Sequence, residues 1–286
     1  MNEKSRNLLI RTASGAVLLA VVLGFTLASV QTYLLLILGI TIGAMNEFYR
    51  LAKATGSYPQ QITGTVAGVL LVLLSAVAFT DAFGHETFAF FLYGALFGLA
   101  LLFGILILEI FRNRPNPIGN IATTLLGVLY VALPMALLLI IPSISDVSSE
   151  GWNPWSVLCV IFIVWANDIF AYLTGITLGR HRMCERISPK KSWEGFVGGI
   201  LGAIGTALLC GHLLGGNLVL WGVIGVIAAL SSVSGDLIES LFKRSAGVKD
   251  SGNILPGHGG FLDRFDALIL ASPFVFFCFI LYAIYL

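Results

Sequence analysis

Apolar residues come in runs of about twenty along this chain, and short polar stretches separate the runs. A helix needs roughly 20 predominantly apolar residues to cross a bilayer. By that measure nine spans are predicted, at about 12–30, 31–47, 62–80, 88–110, 118–141, 155–178, 195–214, 218–241 and 267–286. The boundary between the first two rests on least, because the second run is short. Open strands cannot cross a bilayer, and no alternating ten-residue pattern suggests a barrel. The pattern therefore predicts an all-α polytopic integral membrane protein of about nine transmembrane helices.

Composition agrees. The chain is 57% apolar and 11% charged, against about 25% charged for a soluble domain. So few charges cannot keep a surface in water. A net charge of +1 with no basic tract gives no footprint for nucleic acid. Cys159, Cys184, Cys210 and Cys278 lie far apart with no CxxC, and read as small buried hydrophobes. Lys4, Arg6 and Arg11 before the run Ala13–Val30 resemble a signal peptide. The run exceeds a usual signal core and another follows it at once, so it reads as a retained span.

Charge then orients the bundle. With the N-terminus in the cytoplasm and alternating sides, the inside segments hold Lys4, Arg6, Arg11, Arg50, Lys53, Arg112, Arg114, Arg180, Arg182, Arg186, Lys190, Lys191, Lys243, Arg244, Lys249 and Arg264, which are all 16 basic residues. The outside loops hold only the acids Asp81, Glu86, Asp146 and Glu150. This obeys the positive-inside rule throughout. It predicts a cytoplasmic N-terminus, a C-terminus outside, and an odd number of spans. The long polar segments 179–194 and 243–266 fall inside, so a site for a soluble charged substrate faces the cytoplasm. Gly195, Gly198, Gly199, Gly202 and Gly205 cluster in one span and read as packing positions.

Three acids are singled out within or at the edge of spans: Asp168, Asp236 and Glu239. A carboxylate at mid-membrane costs roughly 2.5–3.5 kcal/mol on insertion scales, and such residues pair between helices or serve function. On the eighth span Asp236, Glu239, Ser240 and Lys243 share one stripe at helical spacing. Its opposite face is apolar, so the stripe is expected to line a wet cavity inside the bundle. A glycine-rich loop follows, with Gly247, Gly252, Gly257, Gly259 and Gly260. Asp263 and Asp266 then open the last helix, where the helix dipole alone would favour acids. Lys243, Arg244, Lys249 and His258 lie between Asp236 and Asp263. Carboxylates with basic residues around a loop suit magnesium and phosphate, since magnesium takes one or two carboxylates and fills its shell with water and phosphate oxygens, while Lys and Arg neutralise the remaining charge. The residues alone thus point to a phosphate-handling membrane enzyme.

The segment Ser240-Leu-Phe-Lys243-Arg244-x4-Lys249-Asp250-x-Gly252-x2-Leu255-Pro256-x-His258-Gly259-Gly260-Phe-x-Asp263-Arg264-Phe-Asp266 resembles the signature of the CDP-diacylglycerol synthases, or phosphatidate cytidylyltransferases, without a departure. A second stretch, Asn167-Asp168-Ile-Phe-Ala171-Tyr172 through Ser188-Pro189-Lys190-Lys191-Ser192-Trp193-Glu194-Gly195, looks like another block of that family. The resemblance covers about 155–286. It implies that CTP and phosphatidate give CDP-diacylglycerol and pyrophosphate with magnesium, one or two ions, at a site open to cytoplasm and lipid in the inner or plasma membrane. It implies Asp236 and Asp263 as metal ligands. On this reading Asp236, Lys243 and Asp263 are catalytic. Asp168, Lys190, Lys191, Arg244, Lys249 and His258 bind substrate, His258 either donating to a phosphate oxygen or structuring the loop. Asp250 and Asp266 hold loop geometry or pair with basic neighbours, and Trp193 anchors at the interface. Residues 1–150 are expected as a supporting bundle of about five spans and 151–286 as the catalytic region. The oligomeric state stays open, a homodimer among the alternatives.

Three other classes fit less well. The close-spaced aspartates of CDP-alcohol phosphotransferases are absent, while a CTP-dependent lipid kinase would release CDP rather than pyrophosphate. A transporter using the buried acids would be expected to show inverted repeats, and none is evident.

Overall fold

A computed structural model describes residues 3–79, 87–147, 152–254 and 259–285. Ten α-helices follow one another: α1 Glu3–Ala28, α2 Val30–Ala54, α3 Gln61–Phe79, α4 Thr87–Arg112, α5 Pro117–Gly127, α6 Leu133–Ile144, α7 Pro154–Leu178, α8 Trp193–Leu214, α9 Leu218–Ser245 and α10 Leu262–Tyr285. A π-helical turn, Val128–Ala132, joins α5 to α6, so that Pro117–Ile144 forms one continuous apolar segment.

Seven segments are long and apolar enough to cross a membrane: Val30–Ala54, Gly94–Arg112, Pro117–Ile144, Pro154–Leu178, Trp193–Leu214, Leu218–Ser245 and Leu262–Tyr285. Two further apolar stretches, Thr12–Ala28 and Gln61–Val77, are shorter. Of the nine expected spans, seven reach spanning length here, and the other two, 12–30 and 62–80, fall on the shorter stretches. Many large apolar side chains point outward, among them Ile62, Phe103, Ile107, Ile176, Leu201, Leu213, Val219 and Phe277. Outward apolar surface on this scale suits lipid rather than water.

Capping residues set the helix boundaries. Ser29 separates α1 from α2 by a capping box, its hydroxyl accepting from Thr32 N at 3.1 Å and Thr32 Oγ1 accepting from Ser29 N at 3.0 Å. Asn217 accepts from Val219 N at 3.0 Å and Leu220 N at 3.1 Å to start α9. Ser192 starts α8, accepting from Gly195 N at 3.2 Å. Two helices outrun their expected spans toward the polar segments: α9 continues to Ser245 and α10 begins at Leu262.

The expectation of an all-α chain needs one correction. Arg182–Cys184 (β1) and Ser188–Ser192 (β2) form a two-stranded antiparallel sheet inside the polar segment 179–194. Strand pairing satisfies backbone groups that a segment outside the bilayer would otherwise leave to water. Glu194 fastens the hairpin to α8 by accepting from Arg180 N at 3.0 Å and His181 N at 3.2 Å, with His181 Nδ1 at 2.6 Å.

Small residues bring α7 and α8 together. A β-carbon on Gly198, Gly199 or Gly202 would overlap Thr174, Asn167 or Phe170 respectively, whereas one on Gly205 would meet nothing. One apolar core runs through both halves of the chain, from Tyr33, Met45 and Tyr49 to Trp221, Ile269 and Phe279. A polar tie crosses the same boundary, Ser272 Oγ donating to Pro134 O at 3.0 Å, while Tyr33 Oη donates to Leu138 O at 3.0 Å within the N-terminal half.

The polar ends sort onto two levels. Lys53, Arg112 and Arg114 gather around Tyr58 in one cavity. Beside it Glu109 accepts from Arg112 at 2.6 Å, Asn120 at 2.7 Å and Gln60 at 2.9 Å. Two segments expected outside also meet, Asp146 accepting from Asn217 N at 2.7 Å and Trp221 Nε1 at 3.2 Å.

Candidate active site

Two cavities meet at a common wall made by Asp168, Lys191 and Asp236. The first, about 540 Å³, lies between α7, the hairpin and the start of α8, and is lined by Asn167, Tyr172, Arg182, Lys190 and Ser192. The second, about 780 Å³, is framed by α1, α7, α9 and α10. Gly15, Leu18, Leu19, Ile161, Val164 and Trp165 form its apolar side. Asp236, Glu239, Ser240 and Lys243 all line it, so the polar stripe of α9 faces an internal cavity as its spacing predicts.

The hairpin delivers Lys191 to α9. Its Nζ lies 2.8 Å from Asp236 Oδ2 and 3.5 Å from Val233 O. Both side chains are about a quarter exposed, so the pair borders the wet space. Asp168 on α7 lines both cavities with them, with Asn167 Nδ2 at 3.4 Å. Asn167 Nδ2 also donates to Ser232 Oγ at 3.0 Å, which ties α7 to α9.

Lys243 sits between two acids. It pairs with Glu239 one turn back on α9 and with Asp263 Oδ1 at 2.7 Å. The other oxygen of Asp263 accepts from Ser251 N at 2.8 Å, Ser251 Oγ at 2.9 Å and Gly260 N at 2.8 Å. Asp263 thereby organises the loop and receives a cation at once. Asp236 and Asp266 meet carboxyl to carboxyl within hydrogen-bonding range. Gly235 permits this, because a β-carbon there would stand 2.5 Å from Asp266 O; the two helices touch at that level.

The second cavity carries six carboxyls, Asp168, Asp236, Glu239, Asp250, Asp263 and Asp266, against three cationic side chains, Lys191, Lys243 and Arg264. An excess of oxygen donors and a facing carboxyl pair fit a hard divalent cation, which takes oxygen ligands. Asp236 and Asp266 already face each other, whereas Asp263 has donors on both oxygens. Among the described residues no three such ligands are gathered ready-made, so protein oxygens would supply only part of a shell.

Of the residues predicted from sequence, the structure brings together Asp168, Lys190, Lys191, Asp236, Lys243 and Asp263 along the two cavities. Arg244 and Lys249 line neither. Arg244 donates to Val248 O at 3.3 Å, and Lys249 is exposed. His258 lies outside the described residues. Arg182, Arg264 and Asp266 join the site beyond their expected roles. Glu47 and Glu109 also fall within predicted spans and are buried; the membrane-cost argument applied to Asp168 would have singled them out too.

Fold and site define a multi-pass membrane protein in which a cavity lined by Arg182, Lys190 and Lys191 adjoins a carboxyl-rich cavity with an apolar side. A family model described as the cytidylyltransferase family matches residues 9–282, and the chain belongs to that family. Similar proteins include the phosphatidate cytidylyltransferase of Synechocystis sp. (strain ATCC 27184 / PCC 6803 / Kazusa), 34% identical over 265 residues, 82% of this chain and 83% of the relative. That of Rickettsia bellii (strain RML369-C) is 39% identical over 167 residues, 56% of this chain and 70% of the relative. That of Staphylococcus aureus (strain COL) is 44% identical over 130 residues, 45% of this chain and 49% of the relative.

Proposed function

We propose that this chain transfers a cytidylyl group from CTP to phosphatidate, giving CDP-diacylglycerol and pyrophosphate. Membership of the cytidylyltransferase family and the names of its relatives support the reaction. The observation that carries it at the site is the shared wall: Asp168, Lys191 and Asp236 border a cation-lined cavity and an apolar-sided one together. CTP belongs in the first, where Arg182, Lys190 and Lys191 meet its phosphates. Phosphatidate belongs in the second, its acyl chains along Leu18, Leu19, Ile161 and Trp165 and its phosphate toward Lys191 and Lys243.

In the transfer an oxygen of the phosphatidate phosphate forms a bond to the α-phosphorus of CTP. The bond from that phosphorus to the bridging oxygen breaks, and pyrophosphate leaves with the electron pair. A phosphate monoester is already ionised near neutral pH, so no general base is required. The protein positions two polyanions and neutralises their charge. Lys191 stands where both substrates meet, and Asp236 holds its ammonium in place. Lys243, held by Glu239 and Asp263, faces the lipid phosphate. Asp236 with Asp263 or Asp266 would hold magnesium, which when bound supplies further neutralisation of phosphate charge.

The same reading sets the topology: nine spans, the N-terminus and both polar segments in the cytoplasm, the C-terminus outside, in the cytoplasmic membrane. The gathering of Lys53, Arg112 and Arg114 at one level and of Asp146 with Asn217 at another supports it. Residues 151–286 carry the reacting groups, and α1 contributes a wall from the N-terminal half. Neither nucleic acid nor a second copy is required.

The test is an assay of purified protein with CTP, phosphatidate and titrated magnesium, reading lipid and released products together. CDP-lipid and pyrophosphate in equal amounts are expected. Release of CDP with a phosphorylated lipid would replace this reading with a kinase.

A further inference from the structure

Glu47 stands on α2, in the half of the chain that the motifs leave unassigned. Its side chain is fully buried. A carboxylate removed from water needs partners, and those of Glu47 come from the loop between α9 and α10. Its Oε2 accepts from Ser251 Oγ at 2.9 Å and from the backbone N–H of Leu262 at 2.8 Å. Arg50, one turn on and more than half exposed, approaches Oε1 to 3.7 Å, and among the described residues Oε1 has no hydrogen-bond partner. The loop backbone closes around this one side chain. A β-carbon on either Gly252 or Gly260 would overlap the Glu47 carboxylate.

Ser251, which Glu47 holds, also holds Asp263. Ser251 gives Asp263 both its backbone N–H and a hydroxyl contact, and Gly260 gives a third donor. The Ser251 hydroxyl has one proton and lies 2.9 Å from both carboxylates, so neither acid alone determines where it sits. Leu262 is the first residue of α10. Its N–H is among the first-turn donors that no intrahelical carbonyl can satisfy, and a negative group there also suits the helix dipole. Glu47 thus fixes the loop on one side of Asp263 and the helix start on the other.

We propose that Glu47 is a positioning residue for cytidylyl transfer: through Ser251 and the start of α10 it holds Asp263, and with it Lys243, at the place the reaction needs. Glu47 lines neither cavity, so it acts through those groups and not on substrate. The physical case is one of tolerance. Reacting constellations must be held to within roughly half an ångström, and Asp263 follows a glycine-rich loop whose own backbone is permissive. A buried carboxylate on a neighbouring helix ties Ser251 and the start of α10 to the bundle.

The inference rests on the cytidylyltransferase reading, and wild-type formation of CDP-lipid tests that reading first. Purified Glu47→Ala, Glu47→Gln, Ser251→Ala and the Glu47→Gln/Ser251→Ala pair are then compared at equal folded protein, with thermal unfolding measured beside kcat and KM. Glu47→Ala is expected to lower kcat about a hundredfold, the loss typical of a small misplacement in a site, with KM for CTP little changed. Glu47→Gln keeps the size and one acceptor oxygen and should recover part of that loss. The paired variant should be no slower than the slower single, because both changes break one linkage. If Glu47→Ala does not fold, Glu47→Gln and Ser251→Ala carry the comparison. Wild-type kcat in the folded fraction of both, or losses that multiply in the pair, would overturn the positioning role. Wild-type protein that forms no CDP-lipid would overturn the underlying reading and the role with it.

Discussion

Asp236 on α9 and Asp266 on α10 meet carboxyl to carboxyl at the level where Gly235 lets the two helices touch. The only amine within 4 Å of Asp236 among the described residues is that of Lys191, which comes from the hairpin and not from either helix. Helix contact, carboxyl pair and hairpin therefore converge on one part of the second cavity.

Gly235→Ala tests the helix contact. Its new β-carbon would sit 2.5 Å from Asp266 O and 3.2 Å from Ala267 Cα, both on α10 and neither able to rotate away. The helices must part, at a cost of about 1–3 kcal/mol for overpacking. Lower thermal stability and a larger loss of transfer rate than in Gly205→Ala, where a β-carbon meets nothing, are expected in detergent-purified protein.

Asp236→Asn removes the charge that holds Lys191. A fall in turnover of about a hundred- to a thousandfold is expected, the usual effect of losing one preorganised electrostatic group. Asp266→Asn should also lower turnover and raise the magnesium concentration for half-maximal rate. Unchanged magnesium dependence in both variants would remove the carboxyl pair from ion binding.

Lys243→Ala leaves Glu239 and Asp263 buried without their common cation. Breaking a buried ion pair from one side costs about 3–5 kcal/mol. The expectation is a loss of both stability and activity, with Lys243→Arg recovering stability more than rate. Chemical or thermal unfolding beside the transfer assay separates the two. A drop in protein level with normal specific activity would leave Lys243 only a structural part.

The basic residues divide by position. Arg182 lines the first cavity, whereas Arg244 and Lys249 line neither. Arg182→Ala should raise KM for CTP about tenfold, as expected for one lost charge-assisted hydrogen bond. Arg244→Ala and Lys249→Ala should change it far less. The reverse ranking would show that the loop closes over the nucleotide and that the signature outranks the geometry described.

Topology can be read by labelling. Cysteine at position 218 should react with an impermeant reagent from outside intact cells, and cysteine at position 53 only after the membrane is opened. Both positions are exposed in the structure. The opposite pattern would invert the chain.

Much of this was legible along the chain. The apolar runs mark the helices, because span length is set by bilayer thickness and needs no knowledge of neighbours. Asp168, Asp236 and Glu239 stand out because a charge within or beside an apolar run is costly. The hairpin of 182–192 was less legible. Its strands carry Ser, Pro, Lys and Lys without apolar alternation, and strand pairing there depends on a partner and not on a core.

Information carried along the chain is therefore one-dimensional: which stretches are helical and apolar, and which residues share a face of a single helix. Periodicity settles that face locally. It says nothing of which helix lies opposite or how far each is rotated. Only the tertiary structure decided that Asp236 meets Lys191 and Asp266, that Asp263 bonds to Lys243 and Ser251, and that Glu47 crosses from α2 to hold the loop some two hundred residues further along. Those pairings arise from close packing of side chains that are distant in sequence, and packing is a property of surfaces that exist only once the helices have come together.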